Sequence, residues 1–296
     1  FIFKLQFFIK VMKKPKVLVA MSGGVDSSVA ALLLKNRGFQ VIGAFMKNWS
    51  DTKNALGECT WKDDRKMAMG IASQLKIPLI TLDFEHEYRK EVIDEMFRLY
   101  RKGITPNPDI DCNQKVKFPL LRKAAKRLGS NLIATGHYIR KDKDGKRLLR
   151  AKDESKDQSY FLYRINKKDI AHSLFPLGEL TKKQVRAIAR ENKFPNFDRK
   201  STVGICFVGK VNLKKFLQAR ILPKEGKILD TEGKLIGKHD GIYYYTIGQR
   251  IGPRFGIEVE RGKGQRLKRW YVASKNLKKN EIVAAPEGHS LNYRKE

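Results

Sequence analysis

The chain has 296 residues, 41% of them hydrophobic, which is enough for a full core and more than one domain and excludes a disordered tail. Its 62 Lys and Arg against 31 Asp and Glu leave a net charge of +31, far beyond what solubility needs, and point to a polyanionic partner. The opening FIFKLQFFIKVMKK is broken by Lys4, Gln6 and Lys10 and has no small-residue cleavage site, so residues 1–15 read as an N-terminal extension rather than a signal peptide or membrane span.

In chain order, Val17 to Met21 is an apolar run of strand length. It is followed at once by Val29, Leu32 and Leu33 at helical spacing. Val41 to Lys47 predicts a second strand, Met67, Ile71 and Leu75 a helix, and Pro78 to Phe84 a third strand. Val92, Met96, Leu99 and Tyr100 mark another helix, and LLRKAAKRLG (residues 120–129) leads from a helix into the strand of NLIATGHY. Thr181 and Gln184 have capping-box spacing ahead of Val185, Ile188 and Ala189. Beyond about Val211 short β-rich runs alternate with Asp-Gly and Glu-Gly turns, and WYVAS with EIVAA reads as a strand pair. The fold class is therefore α/β: a mostly parallel, Rossmann-like sheet over residues 16–210, then a small β-rich domain over 211–283.

The loop SGGVDSS joins the first strand to the first helix. The leading amides of a helix have no internal partner, and with the helix dipole they form an anion site. Gly23 and Gly24 let the backbone approach a ligand, and Ser22, Ser27 and Ser28 offer hydroxyls. A Walker loop would add a lysine, which is missing here, so the loop suits a pyrophosphate gripped by backbone donors, with Asp26 either helping to place Mg²⁺ or ordering the loop. TGHY (residues 135–138) ends another strand and faces the same crevice.

Cys59, Cys112 and Cys206 make neither a CxxC pair nor a zinc-like pattern with the five histidines, so no metal cluster is expected and a reducing, cytoplasmic setting fits. Cys206, between Ile205 and Phe207, reads as a small core hydrophobe. Cys112, just past a Pro-Asn-Pro-Asp turn and near Lys115 and Lys117, reads as an accessible thiol.

SGGVDSS is similar to the signature of the PP-loop ATP pyrophosphatases (adenine nucleotide alpha hydrolase-like), which split ATP between its α and β phosphates. NPDIDCNQKVKF, ATGHY, KDQSYFLY, LFPLGELTKKQVR, GICFVG and YTIGQRIG, in that order, resemble the motifs of the bacterial tRNA-specific 2-thiouridylases from about Lys16 onward. The resemblance implies an enzyme with ATP and Mg²⁺ that adenylates the C2 oxygen of the wobble uridine of tRNA and installs sulfur delivered by a protein persulfide donor. By that match Ala20, Met21, Ser22, Gly23, Gly24, Val25, Asp26, Ser27, Met46 and Gly136 contact ATP. Asn107, Pro108 and Asp109 surround the target base, with Asp109 either an acid–base group or an exposed turn carboxylate. His137, Lys156, Asp157 and Gln158 contact tRNA. Cys206 carries the persulfide and Cys112 is the nucleophile, the two ending in a transient disulfide.

Two departures stand out. Ser201-Thr202-Val203 replaces an acidic segment before GICF, and the chain stops at Glu296, so 284–296 reads as the start of a truncated C-terminal β-barrel. A PP-loop synthetase that amidates a small carboxylate would share Ser22 to Ser27 but would need neither thiol nor so basic a surface. An RNA-binding relic would need the surface alone.

Overall fold

The computed structural model describes residues 14–50, 60–199, 212–252 and 269–293. They fall into two units, one of residues 1–89 with 109–209 and one of 90–108 with 210–296. In the first unit Lys16–Ala20 (β1), Val25–Asn36 (α1), Gln40–Lys47 (β2), Thr60–Gln74 (α2), Leu79–Asp83 (β3) and Leu132–Ala134 (β4) alternate as the sequence periodicity predicts. The sheet runs β3-β2-β1-β4 with Ser173–Leu174 beside β4, and every pairing is parallel. The order doubles back between β1 and β4. At such a switch point the crevice beyond the carboxyl ends of the strands takes the ligand.

Both faces of the sheet are covered. Val17 and Val19 pack into a cluster with Val29, Ala30, Ile71 and Val185, while Leu18, between them, joins Phe118, Leu121 and Ile133 on the other side. Each fully buried side chain of this kind contributes about 1.5–3 kcal/mol, so the two layers hold the carboxyl ends of β1, β2 and β4 in fixed register.

The Pro-Asn-Pro-Asp turn is expected to lead to an open segment, but the chain is helical from Pro108 onward and runs into the helix expected at residues 120–129. Pro108–Asp111 is a helical turn, Cys112–Lys117 a wide π-helical one, and Phe118–Arg127 a regular helix. The wide turn precedes Pro119, which has no N–H for the carbonyl of Lys115 and whose ring crowds it.

In the second unit Gly226–Leu229 and Leu235–His239 form the expected hairpin. Its turn uses Gly233 at φ +86°, while Asp230 accepts the amides of Glu232 and Lys234 at 2.9 and 2.8 Å. Trp270–Asn276 pairs antiparallel with Glu281–Pro286, whose other edge lies parallel to Gly226–Leu229. Residues 90–108 belong here for identifiable reasons. Phe97 packs on Phe216 with ring centroids 5.5 Å apart, Arg220 pairs with Asp94 at 2.6 Å, and Lys275 donates to the carbonyl of Gly103.

Candidate active site

The loop after β1 is built by its own side chains. Gly24 is the N-cap of α1 and offers no side chain, so hydroxyls do the tying: Ser27 and Ser28 both donate to the Gly24 carbonyl at 3.0 Å, and the Ser22 amide donates to Ser27 Oγ at 3.1 Å. Gly23 adopts φ +78°, and a Cβ there would lie 2.4 Å from the carbonyl oxygen of Asp64. Its own carbonyl accepts from Asn196 Nδ2 at 2.9 Å. The conformation is thereby fixed with the first amides of α1 facing outward, as an anion site requires.

Gly136 follows β4, and a Cβ on it would fall 2.8 Å from the backbone of Asp26 and Ser27. Only glycine lets these two strand ends come so close. Together they open on a cavity of about 600 Å³, the size of a nucleotide site. Ala20, Met21, Ser22, Gly24, Val25, Asp26, Ser27, Met46 and Gly136, which the resemblance assigned to ATP, all line it. Asp109, His137, Lys156, Asp157 and Gln158 line it too. Gln158 is latched to Tyr138 in both directions, the Tyr138 amide donating to Gln158 Oε1 and the Gln158 amide to the Tyr138 carbonyl, each at 3.0 Å. Asn107 and Pro108 belong to the second unit. Cys59, Cys206 and the Ser201-Thr202-Val203 segment lie outside the described residues.

Cys112 corrects one expectation. It is fully buried rather than accessible. The reason is local: Cys112, Val116 and Phe118 occupy the inward side of the π-helical stretch and are all 0% exposed. The residues that this stretch turns to the cavity are Asn113 and Lys117, four and eight places after Asp109.

The structure also adds residues that the sequence did not single out. Lys182, in the first turn of the helix Lys182–Glu191, places Nζ 2.6 and 2.7 Å from the two carboxylate oxygens of Asp26, and the Tyr138 hydroxyl donates to the same carboxylate at 2.8 Å. The capping box of Thr181 and Gln184, present as expected, fixes the start of that helix. A Walker lysine is missing from the loop, yet a lysine reaches it from 156 residues away. Helix periodicity shows that such a residue is on a first turn but not what it faces. Burial, and then the charge of Asp26, hold the Tyr138 phenol well above its ordinary range, so it stays a hydrogen-bond donor.

His137 stacks on Phe118 at 5.9 Å and its Nδ1 lies 2.8 Å from Thr135 Oγ1. Burial first, and the Lys117 charge second, push the imidazole well below its usual pKa. The ring is neutral at pH 7. Asn48, at the end of β2, lines the cavity at 1% exposure with neither amide atom hydrogen-bonded. A buried carboxamide left open costs about 1–3 kcal/mol per unpaired group, which a ligand that fills the cavity would recover.

Replacing Lys182 by Met leaves Asp26 with Tyr138 as its partner among the described residues and removes a cation from the cavity. ATP affinity is expected to fall about tenfold, measured by equilibrium binding, with Lys182→Arg recovering part of it.

A family model described as a tRNA methyl transferase HUP domain matches residues 15–210, and one described as a tRNA methyl transferase PRC-barrel domain matches 214–286. The tRNA-specific 2-thiouridylase of Nitrosococcus oceani is 45% identical over 280 residues, covering 94% of this chain and 75% of its own. That of Lactobacillus helveticus is 44% identical over 273 residues, covering 91% and 71%. The solved structure of a 4-thiouridine synthetase–RNA complex with bound ATP aligns over 69% of this chain and 50% of its own, with a TM-score of 0.43 and 16% identity. With family models over both units and relatives matched across nine tenths of its length, the chain belongs to the tRNA-specific 2-thiouridylase family.

Proposed function

We propose that the chain is a tRNA-uridine 2-sulfurtransferase that uses ATP to activate the C2 oxygen of the wobble uridine and then replaces that oxygen by sulfur. One observation carries the reading. The anion-binding start of α1 and the helix that bears Cys112 open on a single cavity, lined by Ser22 to Ser27 (Gly23 excepted) on one side and by Asp109, Asn113 and Lys117 on the other.

In this reading the α1 amides and Lys182 hold the phosphates, Gly136 clears their path, and Met46 with the open amide of Asn48 receives the adenine. Among the described residues no cluster of three His, Cys, Asp or Glu could hold a metal ion. Mg²⁺ would arrive with the triphosphate, and Asp26 would be the carboxylate available to hold it. The C2 oxygen attacks the α phosphorus, pyrophosphate leaves, and the ring keeps its N3–H and carries the positive charge, so the oxygen has become part of a good leaving group. The Cys206 persulfide then attacks C2 with its outer sulfur. AMP departs, and the Cys112 thiolate attacks the inner sulfur of Cys206, leaving the outer sulfur on the ring as the thione and a Cys112–Cys206 disulfide. A dithiol reductant supplies two electrons to restore both thiols. Asp109 is the acid–base group beside the ring, and the base must be turned out of the anticodon stack to reach it. The two sulfurs must meet for that step, since a disulfide needs Cα atoms within about 7 Å.

His137 and Lys156 to Gln158 then guide the tRNA, whose phosphates also meet the surplus of basic residues. No helix among the described residues is long and apolar enough to cross a membrane. Two cysteines with catalytic work suit a reducing, cytoplasmic setting. Incubation with Mg-ATP should release AMP and pyrophosphate in a manner that depends on a wobble-uridine tRNA. Formation of ADP, or AMP release indifferent to tRNA, would refute the reading.

A further inference from the structure

Asn113 is 2% exposed and lines the cavity, and its two amide atoms are not equivalent. Nδ2 donates to the Phe161 carbonyl at 3.2 Å, a group that can only accept. That bond fixes the amide's orientation, so Oδ1 is the other atom, and Oδ1 has no hydrogen-bond partner. The side chain is thus a buried acceptor lacking a donor. Leaving it so costs about 1–3 kcal/mol, and a cavity ligand with a well-placed N–H removes the cost.

Its surroundings describe that ligand. Tyr160, beside Phe161 with ring centroids 4.1 Å apart, lines the same cavity and is 57% exposed, an aromatic face on which a base can stack. Asp109, Asn113 and Lys117 recur every four residues along the helical stretch and all reach the cavity. Cys112 precedes Asn113 directly. In the uracil ring N3–H is the neighbour of C2, the atom at which sulfur is installed.

We infer that Asn113 Oδ1 accepts a hydrogen bond from N3–H of the turned-out uracil and is the residue by which the site selects uridine over cytidine. This rests on the function proposed above. Cytosine carries a lone pair at N3, so two acceptors would face each other. The N3–H persists in 2-thiouracil, so substrate and product satisfy Asn113 alike. A site built around such a bond rejects the analogue that lacks it far more strongly than an apolar pocket rejects a change of size.

The test uses one tRNA made with either uridine or 3-deazauridine at the wobble position, the latter replacing N3–H by C–H at equal size. With Mg-ATP and a persulfide donor, thiolation by the unsubstituted chain should favour uridine, and Asn113→Ala should reduce that preference by about tenfold or more, because loss of the ring donor then costs nothing further. Any intrinsic difference in reactivity between the rings is common to both proteins and cancels. Asn113→Ser serves as the second variant, with cooperative thermal unfolding required of whichever is used. A preference unchanged by substitution, or equal rates on the two tRNAs with the unsubstituted chain, overturns the inference while leaving the sulfur transfer intact. A weakening of ATP binding in place of the changed preference assigns Asn113 to adenine and also overturns it. Absence of thiolation on the uridine tRNA refutes the proposed function itself.

Discussion

Cys112→Ser is expected to lower 2-thiouridine formation by roughly a hundredfold or more while AMP release from ATP continues. A serine hydroxyl is nearly isosteric with the thiol but a far weaker nucleophile at neutral pH. Because Cys112 is fully buried, the substitution also places a hydroxyl among Val116 and Phe118. Cys112→Ala separates the two effects, since it restores an apolar side chain and should unfold close to the native temperature yet be equally unable to thiolate. Nucleoside mass spectrometry reads the product and pyrophosphate release reads the first step. Equal loss of both steps in the alanine variant would place Cys112 in the structure rather than the chemistry.

Gly23→Ala is expected to cost about 2 kcal/mol or more of stability and at least tenfold in ATP affinity. The φ of +78° strains any L side chain, and the new Cβ meets the Asp64 carbonyl at 2.4 Å, which is backbone and cannot rotate away. The loop must then shift, taking with it the first amides of α1. Gly38→Ala is the control. Its φ of +84° carries the same strain, but nothing lies within 4 Å of the added Cβ and it is remote from the loop in sequence, at the far end of α1. It should lose about 1 kcal/mol by thermal unfolding and keep ATP affinity. Equal affinity losses in both variants would show that nucleotide binding follows global stability and not the shape of the loop.

The parallel sheet and its ligand end were legible because they rest on local patterns: apolar runs of strand length, helical spacing between them, and a glycine-serine turn at one junction. Thr181 and Gln184 announced their capping box for the same reason. The burial of Cys112 was not legible, because polar neighbours at 111, 113 and 115 suggest a turn, whereas the chain folds them into a helix whose opposite side carries Cys112 and Val116 inward. Lys182 was hidden for a different reason. Its partner Asp26 is 156 residues away, and no periodicity reports a contact made through the tertiary fold. Asn113 could not be found from sequence either, since a fixed amide orientation depends on the Phe161 carbonyl, 48 residues on. The membership of residues 90–108 in the second unit likewise arises from Phe97, Asp94 and Gly103 meeting residues more than a hundred positions later.

The most direct test of the central claim is nucleoside mass spectrometry on an unmodified wobble-uridine tRNA, incubated with the chain, Mg-ATP and a persulfide donor, beside the Cys206→Ser variant. The account predicts 2-thiouridine with the unsubstituted chain and none with the variant, with AMP formed in both. Equal 2-thiouridine in the two samples, or none in either while AMP still forms, would contradict it.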